Sequence, residues 1–364
     1  MDRRGMLKMV FSLGTALFFL ALGGGWAAGI TPQAKVRAAF IYSSAIGDFG
    51  WAYSHDVARK RLEQRLDYVE TAYTESVPEG AEAGRIMESY IRHGYNLIVA
   101  TSFGYMDTVL QLAKKYPDVA FLHATGYKIA PNMSNYFGRM YEARYLAGII
   151  AGRVSETGVL GYVAGFPDPV VLRGINGFFL GARSVNPKAR LHVVWTQSWY
   201  DPAKEREAAD ALMDQGADVI HLAANSPAPV QAAERRGRYA VGFSSDMSAF
   251  APKGHLTSVI WKWVAIYEYA ARGVRDGTFK GEYIWWGFKE GAIDLSPFGP
   301  AVPTDVRRLV EKKKKEIIEG KLQVFAGPLR DQKGKEILPE GQVLSEQKAF
   351  GMNFLLEGVV GSLP

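Results

Sequence analysis

Catalysis usually announces itself through histidines, carboxylates and hydroxyls at set spacings, and this 364-residue chain shows none of the common patterns. Its six histidines are His55, His93, His123, His192, His221 and His255. None forms an HExxH pair and no two stand four apart, so no metal site is expected. No GxSxG elbow, no phosphate-binding loop and no GxGxxG opening a helix after the first strand is present. There is no cysteine, which excludes disulfides, thiolate metal sites, a cysteine nucleophile and a lipid-modified N-terminal cysteine. His123, His192 and His221 fall at or near apolar strand runs and read as hydrogen-bonded structural residues. His55, one turn beyond Trp51, is placed to face a site there. No catalytic residue and no cofactor is assigned.

The chemistry that the sequence does offer is stacking and hydrogen bonding. Trp51, Phe103, Tyr105, Tyr127, Phe166, Trp199 and Tyr200 stand in or near loops that follow apolar runs, and Asp48, Gln197, Asn225, Ser226 and Asp246 stand there too. A cleft lined this way suits a planar, hydrogen-bonding heterocycle. One aromatic face stacked on such a ring contributes about 1–3 kcal/mol. The first of these loops, Gly47-Asp48-Phe49-Gly50-Trp51, organises the rest. It follows an apolar, β-prone run and precedes a helix-compatible stretch, so it presents Asp48 and Trp51 beside backbone N–H groups at a helix start. The structural alternative is that Asp48 caps the helix and Trp51 packs in the core.

The elements that must position these loops alternate. Strands are expected at Phe40–Ser43, Asp67–Tyr73, Leu97–Ala100, Val119–Leu122 and Ser134–Gly138, with amphipathic helices between them and an Ala/Gly-rich helix over Tyr141–Val154. The plan then restarts, with strands at Val159–Ala164, Leu191–Thr196, Asp218–Leu222 and Tyr239–Phe243. Asp201 and Pro202 make a helix start, as cap and first residue. Further on, the pattern gives a strand over Leu256–Ile260, a helix over Trp261–Arg272, a strand over Tyr283–Trp286, a helix over Thr304–Glu319 and a late strand over Gln323–Ala326. Met352–Val360 is apolar and should dock on the body. Alternating strands and helices imply parallel sheets with right-handed crossovers, an α/β chain of two Rossmann-like lobes joined by a multi-strand hinge. The first lobe is expected over residues 36–156 plus part of 255–330, the second over 157–250 plus part of 280–364.

Composition agrees with a globular body: 48% hydrophobic, 22% charged, net charge +6. The excess is mild, the Lys312–Lys315 run falls on a helical face, and nothing demands nucleic acid. Arg3, Arg4 and Lys8 precede an apolar core from Val10 to Leu22 and then small residues. This is a signal-peptide layout over residues 1–28, with cleavage near Ala27 or Ala28, an uncleaved anchor being the alternative. A monomer in a secreted or periplasmic setting is expected.

In this order and spacing, several segments resemble the basic membrane protein family of solute-binding proteins, the purine-nucleoside receptor type serving ABC importers. They are Gly47–Trp51, Thr101-Ser102-Phe103-Gly104-Tyr105-Met106-Asp107, Gln197-Ser198-Trp199-Tyr200-Asp201-Pro202, Val241-Gly242-Phe243-Ser244-Ser245-Asp246 and Glu357–Gly361. The resemblance implies a type I periplasmic-binding-protein fold whose lobes close on a purine-like ligand, with an ABC transporter permease as partner and no catalysis. It implies that Asp48 holds the ligand's polar edge and Trp51 stacks on it. Phe103, Tyr105 and Asn225 line the cleft, Trp199 or Tyr200 supplies the other face, and Asp246 takes the ribose-contacting position. Where the family has a lysine after the late strand, this chain has Trp261, which points to a nucleobase rather than a nucleoside. A ligand sensor for a signalling receptor, or a nucleoside-processing enzyme on the same fold, are the alternatives.

Overall fold

A computed structural model describes residues 30–363, so the expected signal segment lies outside the described residues. The first half runs β1 (Val36–Ile41), α1 (Trp51–Arg65), β2 (Val69–Thr74), α2 (Ala81–Arg92), β3 (Leu97–Ala100), α3 (Met106–Lys115), β4 (Ala120–Ala124) and β5 (Met133–Gly138). The second runs α4 (Met140–Val154), β6 (Val159–Ala164), α5 (Pro169–Val185), β7 (Arg190–Trp195), α6 (Pro202–Asp214), β8 (Val219–Ala223), α7 (Ala228–Arg235) and β9 (Tyr239–Ser244). The chain ends with β10 (His255–Trp261), α8 (Val264–Asp276), β11 (Tyr283–Trp286), β12 (Ile293–Leu295), α9 (Thr304–Ile318), β13 (Leu329–Arg330), β14 (Glu336–Leu338), α10 (Glu346–Phe350) and β15 (Val359–Val360).

Two large sheets result, in the orders β11-β5-β4-β3-β1-β2 and β12-β10-β9-β8-β6-β7-β15, with β13 and β14 forming a separate antiparallel pair. Within the two large sheets pairing is parallel except between β10 and β12. The central strands are buried on both faces, which is why Leu97–Ala100 and Val159–Ala164 read as nearly unbroken apolar runs. One buried cluster runs from the α1 face of the first sheet through Phe137, Trp261 and Trp263 into the α4–α5 layer of the second lobe. In that layer the helices touch backbone to backbone: a Cβ on Gly148 would lie 1.9 Å from the Phe178 carbonyl oxygen, and one on Gly181 would lie 1.9 Å from that of Tyr145. The Ala/Gly bias of α4 is therefore a packing requirement.

The chain crosses between lobes at β5–α4, β10–α8 and β11–β12. β10 belongs to the second sheet, past the residue-250 limit set from the sequence, while α8 packs back on α1. Arg139 ties the first and third crossovers together. Its Nε donates to Glu142 (2.6 Å), Nη1 to the Trp285 carbonyl (2.5 Å) and Nη2 to Glu290 (2.8 Å).

Two expected elements differ. The helix expected from Trp261 starts at Val264, because Trp261 completes β10 and pairs with Ile293 of β12. Gln323–Ala326 is not a strand: only Ala326 bridges, to Val343, because no sheet edge runs beside it. Val359 and Val360 do dock, as an edge strand on β7.

Candidate functional site

The loops after the parallel strands of both sheets face one another, and that is where the chain's backbone strain lies. Five non-glycine residues have left-handed φ values: Phe49 (56°), Ser76 (55°), Thr125 (66°), Gln197 (54°) and Ser244 (68°). Four stand at or just beyond the carboxyl end of a strand, and Phe49 stands in the loop between β1 and α1. Such conformations persist only where surrounding packing holds them, and they concentrate at functional sites.

Asp48 shapes the first loop. Its carboxylate accepts from the backbone N–H groups of Gly50 (2.8 Å), Tyr53 (3.1 Å) and Ala52 (3.2 Å), and from the Ser44 hydroxyl (3.1 Å). Two bonds fall on each oxygen, which fills the acceptor positions and caps α1. Burial pushes this carboxyl's pKa up while the backbone donors pull it back. Trp51, the first residue of α1, is half-buried, and its indole N–H donates to the Thr101 carbonyl at 2.7 Å. That bond links the loops after β1 and β3.

Around Trp51 stands an aromatic cluster drawn from both lobes and the hinge. Trp51 meets Trp263 edge-on at 5.4 Å and Trp261 at 5.9 Å, with Phe137 at 6.2 Å. Trp261 and Trp263 stack at 4.3 Å. Trp261 is 7% exposed, and its indole N–H has no protein partner. The Ser244 hydroxyl, at the end of the adjacent strand β9, is likewise buried and unpartnered. His55 is fully buried against Trp263 (4.8 Å, near-parallel), with Nδ1 bonded to the Tyr267 hydroxyl. Burial holds its pKa well below the usual imidazole range, so it is neutral.

The lobes meet over this cluster. Ser245 donates its hydroxyl to the Phe49 carbonyl at 2.6 Å, and Phe49 meets Phe250 edge-on at 5.1 Å. Gly50 lies against Asn225: a Cβ there would fall 2.6 Å from Asn225 Cβ and 2.7 Å from its carbonyl oxygen. The structure is thus a closed form. Two open cavities on its surface lie away from this junction, one of about 510 Å³ beside Arg37, Tyr90 and Tyr95, one of about 350 Å³ between the Arg139 knot and residues 317–325.

The remaining expected residues are distributed as follows. Trp199 (43% exposed) and Tyr200 are at the rim of the second lobe, Trp199 packing on Phe166 at 5.2 Å and accepting from Asn225 N–H through its carbonyl. Phe103, 6.3 Å from Tyr127, is exposed on the first lobe. Asp246 is exposed and accepts from Ser248 N–H. Tyr105 is fully buried in the α2–α3 core, its hydroxyl donating to the Val77 carbonyl. Sequence reasoning missed Phe137, Trp263, Ser244 and Arg144, which join the cluster through hinge crossovers and helix packing. The signal available was position: Ser244 ends a strand, Phe137 is the next-to-last residue of another, and Trp263 lies two residues beyond Trp261. Among the described residues no group of three or more His, Asp or Glu is placed to hold a metal, and no helix is long and apolar enough to cross a membrane.

Residues 35–324 match the family described as ABC transporter substrate-binding protein, PnrA-like. A purine-binding protein of Brucella abortus is 48% identical over 333 residues, covering 91% of this chain and 95% of that protein. A putative ABC transporter glucose-binding protein of Haloferax volcanii is 40% identical, covering 94% of this chain and 84% of that one. A solved ABC transporter solute-binding protein from Conexibacter woesei superposes with a TM-score of 0.70 at 24% identity, over 79% of this chain and 98% of that one, which shows the shared fold.

Proposed function

The chain belongs to the PnrA-like family of ABC transporter substrate-binding proteins, extracytoplasmic transport components rather than enzymes, and from that premise we propose that it captures a purine base between its lobes in preference to the nucleoside. The observation that carries this reading is the aromatic junction where Trp51 and Trp261 from opposite lobes meet, with the buried Trp261 N–H and Ser244 hydroxyl left without partners. A flat ring with hydrogen-bonding edges satisfies both features. The name of the Brucella relative adds support for a purine.

In this reading Trp51 and Trp261 supply aromatic surface at the hinge end. Trp199, Tyr200 and Phe103 close the rim, and Asn225 and Asp246 offer polar edges. Asp48 and Tyr105 act indirectly, Asp48 by holding the loop that carries Trp51, Tyr105 by supporting the loop of Phe103 from the core. Trp261 is uncharged, bulky and offers one N–H, so it fills space that a ribose would need and leaves the sugar hydroxyls poorly matched. An unmatched buried hydroxyl costs about 1–3 kcal/mol. The permease of an ABC transporter receives the closed form, and the mature chain begins after Ala27 or Ala28.

Titration calorimetry with adenine, guanine, hypoxanthine and xanthine against their nucleosides tests the reading. Bases binding at least tenfold tighter than nucleosides is the expected result. Nucleosides binding as tightly as the bases would overturn the role given to Trp261.

A further inference from the structure

Arg144 sits on α4, inside the second lobe, and is 3% exposed. Its one hydrogen-bond partner among the described residues is the Tyr162 hydroxyl, which accepts from Nη1; Nε is buried and unpartnered. No carboxylate among the described residues forms an ion pair with it, and burial is the main influence on its pKa, pulling it down. A buried guanidinium without an anion is costly to keep, so something else in the working protein satisfies it. The fold makes room for it: a Cβ on Gly174 of α5 would lie 2.1 Å from Nη1.

The surroundings of Arg144 lead to the cleft. Its guanidinium lies 4.5 Å from the Phe243 ring centroid, and the same ring is 6.2 Å from Trp261. Phe243 immediately precedes Ser244, and Ser244 pairs in register with Ile260, the neighbour of Trp261. Two buried polar groups without full protein partners therefore adjoin one aromatic ring, Arg144 Nε and Trp261 Nε1, and a third, Ser244 Oγ, stands at the end of the same strand. Two of them can only donate, and the hydroxyl can do either. Asp48, the buried carboxylate of the first loop, already has both oxygens occupied by the chain itself. The unpartnered buried groups of the junction are thus mainly donors, and its free acceptors, the Asp246 carboxylate among them, stand at the exposed rim.

Resting on the purine reading above, we infer that the ligand is an oxopurine rather than an aminopurine, and that Arg144, with Ser244 and Trp261, is the donor set that selects it. Hypoxanthine and adenine make the comparison sharp. They share shape and stacking area, but hypoxanthine carries an accepting carbonyl oxygen at the ring carbon where adenine carries a donating amine. A donor facing the carbonyl gains a charge-assisted bond; the same donor facing the amine stays unpaired.

The test is titration calorimetry of the full chain with hypoxanthine, xanthine and adenine, repeated on Arg144→Lys, Arg144→Met and Ser244→Ala, with thermal melts on each. Hypoxanthine or xanthine should bind the unmodified protein at least tenfold tighter than adenine. Arg144→Met should bring that ratio towards one chiefly by weakening the oxopurines, and Arg144→Lys should retain part of it. Should the Arg144 variants fail to fold, the ratio in the unmodified protein and in Ser244→Ala still decides. Adenine binding as tightly as the oxopurines, or a ratio unmoved in a folded Arg144→Met, overturns the donor assignment while leaving purine capture standing. Failure of every purine to bind overturns both.

Discussion

Replacing Gly50 by alanine separates closure from folding. The new Cβ would lie 2.6 Å from Asn225 Cβ, 2.7 Å from its carbonyl oxygen and 2.8 Å from its Cα, where ordinary contact begins near 3.4 Å. Two of those three atoms are backbone, so no rotamer change relieves the clash, and the lobes must part by about 0.8 Å at this point. Parting them strains the Ser245–Phe49 hydrogen bond and the Phe49–Phe250 edge contact, two neighbouring links across the same junction. Each is worth about 0.5–1.5 kcal/mol. The closed form should therefore lose about 1–3 kcal/mol relative to the open one, a loss of roughly 5- to 150-fold in affinity for a ligand gripped by both lobes. Calorimetry with hypoxanthine measures the affinity, and small-angle X-ray scattering with and without ligand measures the compaction. Both should fall, while the unfolding transition stays within about 1 kcal/mol of the unmodified protein because neither lobe's core is touched. Unchanged affinity together with full ligand-induced compaction would show that the Gly50–Asn225 approach does not limit closure.

Trp51→Ala should weaken ligand binding by about 1–3 kcal/mol and also lower stability, because the half-buried indole packs on Trp263 and His55 and bonds to Thr101; Trp51→Phe should restore most of the stability, and denaturant titration beside calorimetry reads the two effects. An effect on stability alone would confine Trp51 to packing. His221 titrates with a definite sign. Burial, aided by the Arg144 charge, holds its pKa well below the usual imidazole value of 6.5, so the unfolded chain binds a proton that the folded one does not. Its contribution to stability is complete above about pH 6.5 and is lost as the pH falls below it. The unfolding free energy should thus fall with acidification by up to about 1.4 kcal/mol per pH unit for this residue. His221→Phe should remove that slope between pH 6.5 and 5; an identical pH profile in the variant would refute the assignment.

Much of the fold is legible in the sequence for a simple reason: parallel strands covered on both faces are largely apolar runs, as Leu97–Ala100 and Val159–Ala164 are. Asp201 and Pro202 mark the start of α6 as the sequence suggests, with Asp201 accepting from Lys204 N–H. What the sequence hides is long-range. Trp261 reads as helical from its local pattern, yet β12, some thirty residues on, recruits it into a strand. Trp263 and Phe137 look like ordinary core residues because nothing local says that two crossovers bring them together. Asp48 shows the opposite limit. Its type and place beside Trp51 suit a ligand contact and a helix cap equally, and only the four bonds on its carboxylate display the cap. Arg144 was a readable anomaly left unread, a charge that with Glu142 stands on the buried face of a helix rich in Ala, Gly and apolar residues.

Purine capture, the central claim, is tested most directly by mass spectrometry of the small molecule released on denaturing protein purified without added ligand. A purine base in near-equimolar amount, with its nucleoside absent or minor, is the predicted result. A sugar such as glucose recovered in that amount, with no purine, would contradict the account.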